Sequence, residues 1–243
     1  MRIPTIRGVI DRRVLVNFRV DAEVLAGVCP PPFRPQTFGG YGIAGICLIR
    51  LRNIRPEMLP AFCGISSENA AHRIAVEWDS ENGTQSGVYI PRRDTSSALN
   101  ALVGGRLFPG IHHRARFDVQ ETDREYRIAM HSLDGAAHLV VDGETAESLP
   151  SHSVFDLLEQ CSQFFEAGSV GYSPASNSGR FDGLELRTDR WSITPLAVSD
   201  VQSSFFDDTE NYPSGSVTFD NALLMRGIDH QWQSRESLCC ENA

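Results

Sequence analysis

His112 and His113 follow a Pro109-Gly110 turn, and a β-strand sends neighbouring side chains to opposite faces. One imidazole therefore faces any interior and the other faces away. An inward imidazole is a proton-transfer group near neutral pH; the competing reading is a histidine satisfied in the core or left in solvent. Two adjacent histidines do not chelate one metal, and neither HxH nor HExxH spacing occurs, so no metal and no cofactor is expected. Arg19, Arg73, Arg92 and Arg93 lie on or at the ends of strand-like segments. Their forked donors suit a carboxylate, a phosphate or an enolate, although outward arginines paired with acidic residues are commoner. Arg92 and Arg93 are adjacent, so alternation turns one of them inward. Tyr89 shares their strand, where its hydroxyl either donates to a ligand oxygen or its ring packs in the core. Glu68 lies in the small-residue stretch from Gly64 to Ala71, a setting unlike a solvated face; the competing reading is a carboxylate paired to a neighbouring arginine for structure.

All 22 basic side chains are arginine, and none of the 243 residues is lysine. Lysine is the side chain that loses its proton on burial and forms Schiff bases, so no lysine imine can form. No GxSxG elbow, GxGxxG loop or phosphate-cradling glycine loop is present either. The net charge of −9 and the absence of a basic stripe disfavour nucleic acid and anionic membranes as partners. No apolar run approaches the ~18 residues of a membrane span and no signal peptide is visible, so a soluble, cytoplasmic protein is expected. The six cysteines form no CxxC pairs at zinc-site spacing and read as free thiols. Composition leaves homo-oligomerisation open.

The elements that must position these residues are mostly strands. VLVNFRV from Val14 to Val20 alternates with period two, and Asp21 precedes a short helix, AEVLAGV, stopped by Pro30-Pro31-Pro32. Tyr41–Arg52 reads as a long buried strand, and His72–Trp78 and Gly87–Arg92 as a hairpin around the turn from Asp79 to Gly83. A helix over SALNALVGG follows, ended by Gly104-Gly105, and then strands at Arg114–Gln120, Tyr126–His131 and His138–Val141. Helical spacing predicts a further helix over Val154–Phe165. FDGLELR, WSITPLAVSDVQ, GSVTFDNALLMR and GIDHQW supply the remaining strands. Many short strands with three singly inserted helices predict an α+β domain over residues 1–235 on an antiparallel sheet or barrel, with residues 236–243 as a flexible tail.

The run VNFRVDAEVLAGVCPPPFRP resembles the opening of the acetoacetate decarboxylase-like superfamily, and GISSENAAHRIAVEW is similar to the region holding that family's active-site glutamate. GVYIPRRDTSSALNALVGGRLFPGIHHRARF looks like the corresponding part of the DUF2071 (YqjF-like) branch, and WSITPL and LLMRGIDHQW fit its C-terminal half. The resemblance implies a cone-like antiparallel β-barrel, capped by helices, around a pocket. It implies that Glu68 is the family glutamate, and a carboxyl enclosed in such a barrel works as a general acid or base. The family's lysine pair would fall near Pro109, Gly110, Ile111 and His112, where this chain has no amine. The expectation is a pocket for a small organic acid or ketone. Two functions remain open: acid/base chemistry by Glu68 with His112 or His113 and binding by Arg19, Arg73, Tyr89 and Arg92, or a non-catalytic binding protein for a small organic acid.

Overall fold

A computed structural model describes residues 4–104, 109–175 and 179–239. Period-two sequence becomes long strands in the first third of the chain: β1 (Ile6–Asp21), the helix α1 (Ala22–Val28), two short bridges β2 (Arg34–Pro35) and β3 (Thr37–Phe38), then β4 (Tyr41–Pro56). A 3-10 turn at Ala61–Cys63 leads to β5 (Ile65–Ser80) and β6 (Gly83–Thr95), joined through Gly83 at a positive φ of 91° that glycine adopts freely. Helix α2 (Ala98–Val103) is capped by the Ser97 side chain, which accepts from the Asn100 N–H. There follow β7 (His112–Glu121), β8 (Glu125–Ser132), β9 (His138–Thr145), α3 (Leu158–Ala167), β10 (Val170–Pro174), β11 (Arg180–Arg187), β12 (Thr194–Ser203) and β13 (Val217–Cys239).

The strands form one sheet that coils back on itself. From β13 the ladder runs through β1, β4, β5 and β6, and then branches. One branch returns to β13 through β10 and β11, the other through β7, β8, β9 and β12. Both junctions at β6 are short and parallel: Gly171 and Tyr172 of β10 on one side, and residues 112–114 of β7 on the other. This is the sheet-dominated α+β cone expected, thinly stitched at two seams and parallel there.

The shared strands have two faces. Val14, Val16, Ala44, Ile46, Leu48, Ala70, Ile74 and Val76 face Tyr126, Ile128, Met130, Leu139, Val141 and Leu196 of the second branch and make the main core. Leu15, Ile43, Cys47, Ala75 and Leu223 point the other way, against Phe155, Cys161 and Phe165 around α3. Strand parity therefore assigns each side chain to core or cavity.

The strands run longer than their sequence signals, β1 starting at Ile6 and β5 at Ile65, and two further boundaries differ for identifiable reasons. Helix α3 starts at Leu158 rather than Val154, because the Asp220 carboxylate accepts the Val154 N–H at 2.8 Å and the Ser153 hydroxyl at 2.7 Å, which anchors that segment in a non-helical turn. The chain from 236 to 239 is strand, not a free tail: Leu238 pairs with Phe181 and Cys239 with Arg180, extending one 23-residue strand that absorbs both late strand signals. Gly105, the second glycine of the expected helix stop, and Cys240 lie outside the described residues. No helix among the described residues is long and apolar enough to cross a membrane.

Candidate functional site

The face of β1, β4, β5 and β6 that looks away from the main core floors a cavity of about 160 Å³, roofed by β10, β11, Phe165 of α3, Trp191 and Trp232. Register shows how the floor is built. Cys47 of β4 pairs with Ala71 of β5, and Ala71 pairs in turn with Arg93 of β6. One step along, Gly45 pairs with Arg73; one step the other way, Arg13 pairs with Ile49. The centre of the floor is thus made of small side chains, and arginines stand on three sides of it. A Cβ on Gly45 would lie 2.3 Å from the Val16 carbonyl oxygen, so the closest approach of β1 and β4 requires glycine there.

None of the three arginines has a carboxylate partner among the described residues. Arg13 Nε–H donates to Cys47 Sγ at 3.2 Å. Arg73, 5% exposed, donates to Asn17 Oδ1 and stacks 4.8 Å from the centre of the Phe165 ring, while its Nε finds no acceptor. Arg93 Nε–H donates to the Ser173 hydroxyl at 3.1 Å. Burial pulls the guanidinium pKa of both Arg73 and Arg93 down to about 10, with the Arg13 charge adding to the effect on Arg73. Both remain cationic at neutral pH. Buried cations without counter-charges are costly, and an anion relieves the cost.

His112 is the titratable neighbour of this cluster. The parallel pairing of β6 with β7 sets Arg93 beside His112 and Asp94 beside His113. His112 lines the cavity, and burial together with the nearby Arg93 charge pushes its imidazole down to about 3, so it is neutral at working pH. Its Nδ1 lies 3.1 Å from the Gly110 carbonyl, an acceptor only, which assigns the proton to Nδ1. His113 faces the other way, Nδ1 2.9 Å from Asp134.

Of the residues singled out in the sequence, Arg73, Arg93 and His112 are brought together in the cavity. The rest are elsewhere. Glu68 shares the parity of Ala70 and Ile74, on the core face, and its carboxylate is held between Arg12, at 2.5 Å, and Arg50. Glu121 closes that ring with bonds of 2.6 Å from Arg12 and 2.5 Å from Arg50. The expectation that Glu68 lines the cavity is therefore not met: the arginines opposite it, not a ligand, satisfy it. Tyr89 points into the main core, stacked on Phe33 with ring centres 5.6 Å apart. Arg19 has the cavity-side parity of Arg13 but sits at the far end of β1, donating to the His152 carbonyl and lying 3.6 Å from Asp220.

Arg92 is displaced by a bulge. Val88 and Ile90 line the cavity, so simple alternation would continue with Arg92. Instead, β5 advances two residues from His72 to Ile74 while β6 retreats three, from Arg92 to Tyr89. The extra residue, at Ile90-Pro91, flips the parity, a role bulges often play beside sites. Arg93 turns inward, and Arg92 turns to the buried Asp94, which it grips with bonds of 2.9 and 2.8 Å, and to Asp134. Asp94 is thereby committed, and burial outweighs the pull of Arg92 to raise its pKa. Arg13 was missed as a ligand group, its only sequence signal being adjacency to Arg12, whereas alternation leaves the Arg92-Arg93 pair open between faces and the bulge selects Arg93. Among the described residues, no group of three or more His, Cys, Asp or Glu side chains gathers as a metal site.

The coiled sheet has the acetoacetate decarboxylase-like fold. An acetoacetate decarboxylase from Legionella pneumophila superposes with a TM-score of 0.58 over 97% of this chain and 88% of its own, at 8% identity. The enduracididine biosynthesis enzyme MppR in complex with pyruvate gives 0.60 over 99% and 91%, at 11% identity. An acetoacetate decarboxylase-like enzyme from Sphingomonas wittichii RW1 gives 0.58 over 97% and 94%, at 10% identity. No curated protein sequence matches the chain significantly. The chain belongs to the DUF2071 family of uncharacterized conserved proteins, whose model matches residues 10–218.

Proposed function

We propose that this protein binds a small organic carboxylate in the cavity, with Arg13, Arg73 and Arg93 meeting its charge. The observation that carries the reading is the convergence of three guanidiniums, without carboxylate partners among the described residues, on one cavity of about 160 Å³. A cavity of that size accepts a molecule of roughly benzene's bulk. Pyruvate bound to the similarly folded MppR is in keeping with a small oxo acid as ligand. Thermal shift tests it. Pyruvate and acetoacetate are expected to raise Tm with occupancy, acetone is not, and Arg93→Gln is expected to remove most of the shift. Equal stabilisation by acetone, or none by any acid, overturns the reading.

The position of His112 favours proton transfer on that ligand. With no lysine in the chain, an imine cannot serve as the electron sink. The step available is enolisation: a bound carboxylate offsets the Arg93 charge that holds the His112 imidazole down and so raises its basicity, His112 takes a proton from the carbon next to the ligand carbonyl, and the electron pair moves to the carbonyl oxygen beside Arg93. Exchange of the methyl protons of pyruvate in D2O, followed by NMR, reads this step. Loss of enzyme-dependent exchange in His112→Gln, with carboxylate binding retained, is the expected result; exchange unchanged by that substitution leaves binding alone.

A further inference from the structure

The three cavity arginines fall into two groups. Arg73 extends across the floor toward β1, where it meets Asn17 Oδ1 and lies close enough to Arg13 for the two charges to repel. Arg13 stands on the same side, against Cys47 Sγ and 3.9 Å from Met225 Sδ. Arg93 lies across the floor, drawn toward β10 by its bond to Ser173 and flanked by His112. The contacts separate the groups: Arg73, though rooted on β5 next to β6, reaches Asn17 on β1, and Arg13 meets Cys47 on β4, which Ala71 sets two strand spacings from Arg93, roughly 9.6 Å at the backbone. The small side chains of Cys47 and Ala71 lie on the floor between them.

Charge strengthens the division. Asp94 is the one carboxylate lining the cavity among the described residues, and Arg92 holds both of its oxygens. Three cationic groups therefore face the space. A monocarboxylate resting on one group leaves the other uncompensated, at the cost of a buried charge without a partner. A ligand with a carboxylate at each end compensates both, and each end meets a forked donor suited to it.

We propose that the ligand is a short-chain dicarboxylate, one carboxylate held by Arg13 and Arg73 and the other by Arg93 next to His112. The proposal rests on the carboxylate-binding reading above and specifies it. The small cavity limits the spacer to a few carbons, and Phe165, Ile49 and Ile90 supply its apolar contacts.

Calorimetric titration of the full chain with acetate, butyrate, succinate, glutarate and inorganic phosphate tests it. The better of succinate and glutarate is expected to bind at least tenfold tighter than butyrate, and Arg93→Gln to bring that ratio close to one. The wild-type ratio needs no variant, so it decides the matter even if Arg93→Gln does not fold. Butyrate binding as tightly as either diacid overturns the dicarboxylate assignment while leaving carboxylate binding intact. No binding of any carboxylate removes both readings. Phosphate binding tighter than every diacid shows one compact dianion site in place of two separated ones and also overturns the proposal.

Discussion

Arg12 and Arg13, neighbours in sequence, end in opposite environments. Arg12 is 1% exposed and its guanidinium lies between Glu68 and Glu121, while Arg13 faces the cavity and, among the described residues, donates only to sulfur. The contrast separates the two uses of a buried arginine. Paired with carboxylates, it is structural; without a counter-charge at a cavity wall, it is a receptor for an anion. Glu68 belongs with the first use, so its replacement is expected to act on stability. Glu68→Gln leaves Arg12 partly uncompensated and is expected to cost about 3 kcal/mol in urea unfolding, with pyruvate affinity unchanged within twofold. A large loss of affinity without loss of stability would return Glu68 to the ligand site.

At the scale of the element, the bulge at Ile90-Pro91 and the row Cys47, Ala71, Arg93 decide the shape of the site. The floor is open because its central positions carry small side chains, and it is charged because one extra residue in β6 exchanges Arg92 for Arg93. Ala71→Leu places three further heavy atoms, an isobutyl for a methyl, over the floor without touching any ion pair. We expect it to leave Tm unchanged or slightly raised and to weaken carboxylate binding at least tenfold. Unaltered affinity in a folded Ala71→Leu protein would move the ligand away from the floor.

Across the whole molecule, β13 is the unifying strand, pairing with β1, β11 and β12 and so belonging to both circuits of the sheet. Neither the main core nor the cavity roof closes without it, so calorimetry at neutral pH is expected to show a single unfolding transition. Acid should weaken the fold through buried histidines. Burial pushes His72 down to about 3 and His230 to about 4, from an ordinary value of 6.5. Depressed folded-state values mean that the unfolded chain binds more protons between those values and about 6.5, so stability is complete above that range and falls as pH drops through it. At pH 5 each contributes a loss on the order of 2 kcal/mol. His72 has no hydrogen-bond partner among the described residues and stacks 4.4 Å from Phe205. His72→Leu is therefore expected to raise Tm at pH 5 relative to wild type by more than at pH 8. An equal effect at both pH values would show that His72 does not carry the acid sensitivity.

Strand identity was legible in the sequence because it rests on local period-two patterning, which also placed the α1 helix, the Asp79–Gly83 turn and a helix after Thr95. The absence of lysine and the resulting exclusion of an imine are chemical facts of composition that no fold can alter. The resemblance of short segments to the acetoacetate decarboxylase-like superfamily pointed to the fold. Which face each side chain takes was not legible, since one bulge residue inverts the parity of everything beyond it, and a bulge is decided by pairing between strands. Only the assembled sheet brought Arg13, Arg73 and Arg93, drawn from three strands up to 80 positions apart, onto one cavity, and sent Glu68 to Arg12 and Arg50 on the other face. A local pattern determines what a segment becomes; the company a side chain keeps depends on long-range register, which tertiary packing alone selects.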